Sequence, residues 1–117
     1  MGQPVSFFEV VSERPERAQQ FYADMFGWQI DTESVDGYAL VDTGAGEAAI
    51  GGGISGSQEQ GDTGVKIYVK VENLHESLTR AKELGGTPLV PPVELPGDFG
   101  RIAVVADPDG NPVGLWA

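Results

Sequence analysis

The sequence predicts an α+β fold made of two copies of one βαβββ unit. Residues 7–30 have the pattern of a strand, an amphipathic helix, a glycine and a second strand, and residues 66–89 repeat that order 59 positions later. At this offset Gly27 aligns with Gly86, each at the end of a predicted helix. A sheet that packs one face on a helix presents its other face elsewhere. We therefore expect paired curved mixed sheets around a cleft, with the helices outside.

Length and composition fit one folded domain. The 117 residues are 40% hydrophobic, and no apolar run approaches the ~20 residues of a membrane helix. We expect a single domain over residues 1–117, with modules at about 1–56 and 64–117. The N-terminus lacks a basic segment followed by an apolar one, so no secretory signal is expected. The absence of cysteine excludes disulfides, thiolate metal sites and cysteine nucleophiles. A cytoplasmic protein fits these features best.

The chain is strongly acidic, with a formal net charge of −11. This charge argues against nucleic acid or anionic membrane as a partner, because both attract basic surfaces. Residues 1–62 hold 11 acidic and 2 basic residues, whereas residues 63–117 hold 7 acidic and 5 basic residues. Two interpretations stay open: a solubilising surface, or a field that attracts a cationic ligand or a more basic partner.

The first module begins with a strand at residues 5–11 and continues with a helix. Pro15 suits the first helical turn, and Gly27 ends the helix. The apolar positions have the spacing i, i+3, i+4, i+7 and are predicted to be buried: Ala18, Phe21, Tyr22 and Met25. Further strands are predicted at residues 28–30, 38–42 and 48–54, with turns at 36–37 and 44–46.

The second module follows a polar, glycine-rich linker at residues 55–64. Its first strand, residues 65–71, alternates apolar and polar residues. Asn73 caps the next helix, with Glu76 three residues later as in a capping box. The helix has one stripe predicted to be buried: Leu74, Ser77, Leu78, Ala81 and Leu84. Four prolines at residues 87–97 allow only a short, irregular edge strand, and residues 101–106 and 112–116 form a hairpin.

Strand alternation assigns the faces of the two first strands. Four side chains are expected under the helices: Phe8, Val10, Ile67 and Val69. The alternate side chains of the same strands are expected to point toward the cleft: Phe7, Glu9, Val11, Lys66, Tyr68 and Lys70. Other aromatic residues are divided between core and pocket. We expect Phe21, Phe26 and Trp116 in the core, while Trp28 and Tyr38 are further candidates for an apolar pocket.

Short motifs in this order resemble the vicinal oxygen chelate superfamily, which includes glyoxalase I, extradiol dioxygenases and bleomycin-resistance proteins. The motifs are Pro15-Glu16-Arg17-Ala18, Phe21-Tyr22, Phe26-Gly27-Trp28 and Asp107-Pro108-Asp109-Gly110-Asn111. Small glyoxalase-like proteins are the most similar group, through Phe8-Glu9-Val10, Gly51-Gly52-Gly53 and Gly114-Leu115-Trp116. The resemblance covers essentially the whole chain. It implies the tandem-module fold and a homodimer.

Metal-dependent members of the superfamily place His, Gln or Glu on the first and last strand of each module. The first-strand positions here are Phe7 and Lys66, and the last-strand positions are Gly114 and one of residues 51–53. None supplies an ordinary ligand for a divalent metal. The only histidine, His75, is expected to face solvent. We therefore expect no metal cofactor.

The predicted site is formed mainly by side chains that are expected to face the cleft. Its ligand-binding candidates are Phe7, Glu9, Gly52, Lys66, Tyr68, Phe99 and Gly114. Glu9 is also the candidate general base, and an ion pair across the module interface is the competing interpretation. Glycines 51–53 would leave the cleft wall bare and enlarge a cavity, and Phe99 would act as a lid. Residues 107–111 are expected to form an ordinary turn rather than a calcium loop.

Three functions are compatible with these features. The first is a metal-free protein that binds a small organic ligand, for which a positive charge is one option. The second is a lyase or isomerase with a rebuilt metal site, or one that uses Glu9 as a general base. The third is an interaction module whose cleft is filled by its own side chains.

Overall fold

The computed structural model describes residues 2–35, 38–57 and 63–117 and confirms the α+β class. Within these residues the elements are β1 (Val5–Ser12), α1 (Pro15–Phe26), β2 (Gln29–Val35), β3 (Tyr38–Asp42), β4 (Gly51–Gly56), β5 (Gly64–Lys70), α2 (Leu74–Glu83), β6 (Thr87–Glu94), β7 (Arg101–Ala106) and β8 (Pro112–Trp116). The βαβββ order thus occurs twice. Neither of these helices is long and apolar enough to cross a membrane. The predicted turn at 36–37 and residues 58–62 of the predicted linker lie outside the described residues.

The chain divides into two compact units, of which the first is Phe7–Val65. Its strands lie in the order β2-β3-β4-β1, with β1 parallel to β4 and the other pairs antiparallel. The core below α1 contains Val10, Ala39, Val41 and Ile54, with Phe8, Ala18, Tyr22, Trp28 and Ile30 packed against it. The helix ends at Gly27, whose φ of 72° is the left-handed conformation that glycine adopts without strain.

The predicted buried stripe of α1 is wrong in part. Ala18 and Tyr22 pack on the core, but Phe21 is 58% exposed and Met25 is 64% exposed. The Phe21 ring meets the Tyr22 ring edge-on, with the ring centroids 5.2 Å apart, and does not reach the core that Tyr22 contacts. Phe26, at the last residue of α1, is 53% exposed. Phe21 and Phe26 are therefore not core residues, contrary to the sequence prediction.

The second unit comprises Lys66–Ala117 and the residues up to Ser6. Its strand order is β5-β8-β7-β6, again with one parallel pair, β5 and β8. The core contains Val71, Leu74, Ala103, Val105 and Leu115, with Val69, Leu78 and Ala81 among the residues packed against it. The N-terminal residues join this unit through the backbone, where the Lys70 N–H donates to the Pro4 carbonyl at 2.9 Å.

Helix α2 is capped as predicted, since the Asn73 side-chain oxygen accepts the Glu76 backbone N–H at 3.0 Å. Two predictions of apolar contacts with α2 are wrong. Leu84 follows the last helical residue and is exposed, and Ile67 is 41% exposed. The core beneath α2 includes Val69 and Val71, from the C-terminal part of the predicted strand, but does not extend to Ile67.

Strand β6 is irregular, as the prolines predict, but it runs for eight residues. Its pairing with β7 shifts register between Pro88 and Val90 and again between Val90 and Val93. Pro91 and Pro92 fall in the second shift. A proline cannot donate a ladder hydrogen bond, so an edge strand with irregular pairing is where two of them fit.

Residues 107–111 form the predicted turn between β7 and β8. Asp107 Oδ1 accepts the backbone N–H groups of Asn111 and Asp109, each at 2.9 Å. The hydrogen bonds from the Asn111 backbone and side chain, followed by those from Asp109 and Gly110, hold the pKa of Asp107 below its ordinary value. The carboxylate therefore accepts hydrogen bonds from the backbone N–H groups of its own turn.

We expect Asp107→Ala to lower the melting temperature at pH 7, where the folded state carries this carboxylate ionised. The folded-state pKa lies below the unfolded-state value. Ionic stabilisation is therefore fully present above the unfolded pKa and is lost as the pH falls through the folded pKa. The difference from wild type should shrink between pH 7 and pH ~3 in thermal unfolding followed by circular dichroism.

Asp109→Ala in the same turn is the matched control and should change the melting temperature little at either pH. An Asp107→Ala deficit that is equally large at both pH values would show that the ionised carboxylate is not the stabilising group.

Candidate ligand-binding surface

The face of the first unit opposite α1 is defined by the register of three strands. Glu9 of β1 lies opposite Gly53 of β4, and Gly53 lies opposite Leu40 of β3. Tyr38 lies two residues before Leu40 and so belongs to the same face. The core side chains Val10 and Ile54 occupy the opposite face, under α1. Glu9 and Tyr38 thus share the face that α1 does not cover.

A hydrogen bond connects these two side chains across the intervening strand β4. The Tyr38 hydroxyl donates to Glu9 Oε2 at 2.7 Å. Neighbouring strands lie about 4.8 Å apart, so β3 and β1 are separated by roughly 10 Å. Tyr38 crosses this distance because Gly53 has no side chain. A Cβ at Gly53 would overlap the Tyr38 ring. The glycine therefore allows the tyrosine to reach the carboxylate.

Gly52, a predicted ligand-binding residue, lies on the other face of the sheet. It pairs with Phe8 and Val41, is buried, and is covered by the Phe8 ring. It therefore does not share the face of Glu9. The expectation of a bare wall is also wrong at Gly52 and Gly53, because an aromatic ring covers each of them.

The second unit has a comparable arrangement with different chemistry. Tyr68 of β5 pairs with Gly114 of β8, is only 6% exposed, and occupies the space that a Cβ on Gly114 would need. The Lys66 Nζ lies 5.8 Å from the centre of the Tyr68 ring, and the Lys70 Nζ lies 4.4 Å from that of Trp116. Both distances suit cation–π contacts. This face is therefore cationic and aromatic.

Phe99 lies in the loop between β6 and β7, and its side chain is half exposed. The backbone of this loop is held at two points. The Trp116 indole N–H donates to the Phe99 carbonyl at 2.5 Å, and the Leu95 N–H donates to the Gly100 carbonyl at 2.8 Å. A lid at Phe99 stays a prediction, and any motion would have to disrupt or accommodate these contacts.

The residues present do not fit a divalent metal at the positions that the superfamily uses. Gly53 and Gly114 offer no side chain, and a tyrosine ring occupies the space where one would begin. Phe7 and Lys66 supply no ordinary ligand either. Within the described parts of the chain, no three His, Asp or Glu side chains converge as a metal site would require. His75 is exposed on α2, as predicted.

Sequence reasoning named Tyr38 only as one of several aromatic candidates and did not connect it with Glu9. The two residues are 29 positions apart. The signal that pointed to the contact was the run of glycines at 51–53, since glycine within a strand marks a close approach. Which ring approaches depends on the strand order, which residue spacing alone does not give.

Comparison with known proteins identifies the family of this chain. Residues 8–116 match the glyoxalase-like domain, and the chain belongs to this family within the vicinal oxygen chelate superfamily. It is 31% identical over 104 residues to a protein named "Putative glyoxylase CFP32" in Mycobacterium bovis and Mycobacterium tuberculosis. The match covers 85% of this chain but only 40% of those relatives.

Solved structures show the same fold at low identity. A glyoxalase/bleomycin resistance protein/dioxygenase superfamily member from Vibrio splendidus is 16% identical, with a TM-score of 0.65 and 97% of each chain covered. Methylmalonyl-CoA epimerase from Mycobacterium tuberculosis is 15% identical, with a TM-score of 0.69, over 96% of this chain and 85% of that chain. At such identities the likeness concerns the fold.

Proposed function

We propose that this protein is a metal-free member of its family that binds a small organic molecule, with the Glu9–Tyr38 pair as the polar anchor. The single observation that carries the proposal is the hydrogen bond of 2.7 Å between the Tyr38 hydroxyl and Glu9 Oε2. Small-molecule sites combine apolar walls with a few well-placed polar groups. A carboxylate held in one orientation by a tyrosine is such a group.

The proposed ligand carries a cationic group. Hydrogen bonds from a cationic donor to a carboxylate such as Glu9 are stronger than those between neutral groups. Residues 1–62 have 11 acidic and 2 basic side chains, and this charge favours the approach of a cation. Ligand binding by Lys66, Tyr68, Phe99 and Gly114 of the second unit stays a prediction.

A ligand screen with charge-matched probes tests this proposal. We expect guanidinium and quaternary ammonium compounds with an aromatic group to raise the melting temperature, whereas neutral analogues of the same shape do not. In Glu9→Gln the dissociation constant of the best cation should rise at least about tenfold, because a charge-assisted hydrogen bond is lost. Tyr38→Phe should weaken binding by a smaller factor. Isothermal titration calorimetry gives both values.

Glu33→Gln is the matched control, since it removes an exposed carboxylate from β2 and should leave binding unchanged. Equal affinity in Glu9→Gln and wild type would exclude Glu9 as the anchor. The metal-free part is tested separately by titrating EDTA-treated protein with Ni²⁺, Zn²⁺ and Mn²⁺. Stoichiometric binding at micromolar concentration would contradict it.

Catalysis by Glu9 is the second candidate function. A carboxylate and a phenol in contact form a pair that can exchange protons with a bound substrate. Compounds that bind in the screen are incubated with the protein in D₂O and followed by NMR. Enzyme-dependent deuterium uptake that is lost in Glu9→Gln, with folding intact, would favour this function. No uptake in any binding compound would favour binding alone.

A further inference from the structure

Gly51 is the member of the glycine run at 51–53 whose lack of a side chain no neighbouring side chain explains. Each of the other two glycines is covered by an aromatic ring. At Gly51 an added Cβ would have the Val41 carbonyl oxygen, at 3.7 Å, as its nearest neighbour among the described residues. This is an ordinary contact. A side chain would therefore fit at Gly51, and its absence needs another reason.

Neither the backbone conformation nor a bulge requires glycine at this position. Gly51 does not have the positive φ that other residues rarely adopt. The pairing of β1 with β4 is also regular, since residues 7–12 lie opposite residues 51–56 one for one. Glycine within a strand lowers stability, because it loses more conformational freedom on folding and packs no side chain. The reason for a strand glycine that fits here is the close approach of a ligand.

Gly51 belongs to the same face as the Glu9–Tyr38 pair. It is exposed and lies two residues before Gly53, which is opposite Glu9. The Cα atoms of Gly51 and Gly53 are therefore about 7 Å apart along the strand. Tyr38 lies opposite Ser55 and reaches Glu9 across Gly53. The tyrosine thus covers β4 from Ser55 to Gly53, and the bare backbone begins at Gly51.

The surroundings of Gly51 favour a flat cationic ligand. Phe7 lies opposite Gly51, and Asp42, two residues after Leu40 on β3, belongs to the same face. An aromatic and an acidic residue therefore flank the bare backbone, on which a flat ring can lie in contact over its whole area. An amidinium or guanidinium group offers Glu9 paired, coplanar N–H donors. Joined directly to an aromatic ring, it gives a flat ligand that extends from Glu9 over Gly51.

We propose that Gly51 is a specificity-determining residue, and that the ligand is an aryl amidine or aryl guanidine whose ring lies on the backbone of Gly51. The inference rests on the proposed function, because Glu9 holds the cationic group. All of the residues involved lie in the unit Phe7–Val65. Glycine at this position sacrifices stability for access, a conflict that is typical of functional sites.

Three cations separate the ring from the charge: benzamidinium is flat, cyclohexanecarboxamidinium has the same charge on a puckered ring, and methylguanidinium has no ring. Dissociation constants are measured by NMR titration. Wild type should bind benzamidinium at least about tenfold more tightly than methylguanidinium, because the ring buries apolar area. Gly51→Val should weaken benzamidinium binding at least about tenfold, since its side chain takes the place of the ring. Methylguanidinium should stay within about twofold in that variant.

Gly51→Ala should weaken benzamidinium binding by a smaller factor, and it decides the matter if Gly51→Val does not fold. Gly56→Ala is the matched control from the same strand. Its Cβ also has one neighbour at 3.7 Å, Pro15 Cγ, but points to the face under α1. It should leave all three affinities unchanged. Circular dichroism confirms that each variant folds.

The outcomes distinguish this inference from the proposed function. Benzamidinium affinity that is unchanged in the folded Gly51 variants would overturn the inference. Equal binding of benzamidinium and cyclohexanecarboxamidinium by wild type would also overturn it, because a flat ring would then have no advantage. In either case, methylguanidinium binding that is lost in Glu9→Gln would leave the proposed function standing. Failure of all three cations to bind wild type would overturn both.

Discussion

Replacing Gly52 by alanine is expected to lower the free energy of unfolding by about 2 kcal/mol, since over-packing a filled core typically costs 1–3 kcal/mol. A Cβ at Gly52 would overlap the end of the Phe8 ring. That ring cannot swing aside cheaply, because it packs on the core and lies 5.4 Å from the Trp28 ring, which itself stacks on Tyr22. One methyl group therefore displaces an aromatic cluster.

Gly51→Ala is the control from the neighbouring position of the same strand. Its Cβ would meet only the Val41 carbonyl oxygen, at 3.7 Å, which is an ordinary contact. We expect no loss of stability, and a gain of up to ~1 kcal/mol through the reduced entropy of the unfolded chain. Urea unfolding followed by tryptophan fluorescence measures both variants. Equal losses at Gly51 and Gly52 would show that the Phe8 ring does not set the requirement for glycine.

The elements with strong local signals could be predicted from the sequence. The strands at residues 38–42, 101–106 and 112–116 have the predicted bounds, and Gly27 ends α1. Alternation of residue type and glycine conformation act over a few neighbouring residues, so the sequence contains them directly. The repeat at a constant offset then supplies the βαβββ order, because the same local signals occur twice.

Apolar residue type failed to predict burial where the partner surface ends. Phe21 and Met25 have the helical spacing of a buried stripe, but the sheet below α1 receives only Ala18 and Tyr22 of that stripe. Spacing defines a face of the helix, whereas the width of the covered sector depends on the shape of the sheet.

The central contact of the candidate site could not be predicted for a related reason. Glu9 was identified from strand alternation, which is a local property. Its contact with Tyr38 requires that β4 lie between β3 and β1, and that β4 carry glycine at the crossing point. Strand order is a property of the whole unit. The sequence alone does not distinguish a glycine that leaves a cavity from a glycine that makes room for an aromatic ring.

Tyr68→Ala is expected to cost about 3–4 kcal/mol, the usual range for removing a large aromatic side chain from a core. Tyr68 is 6% exposed and fills the space above Gly114. Gly114→Ala alone should cost about 2 kcal/mol, because its Cβ would overlap the same ring. When the ring is absent, the added methyl group enters the space that the ring left. The loss of stability in the double variant should therefore be smaller than the sum of the two single losses by at least ~1 kcal/mol.

Urea unfolding of the four proteins measures this coupling, and two further variants make it specific. Tyr68→Phe keeps the ring and should retain most of the stability. Tyr68→Ala combined with Gly51→Ala joins changes in different units, so their effects should add within about 0.5 kcal/mol. Additive losses in Tyr68→Ala/Gly114→Ala would contradict the packing of the ring on the glycine. A non-additive loss would show that the Tyr68 ring occupies the space where a metal ligand on the last strand would begin.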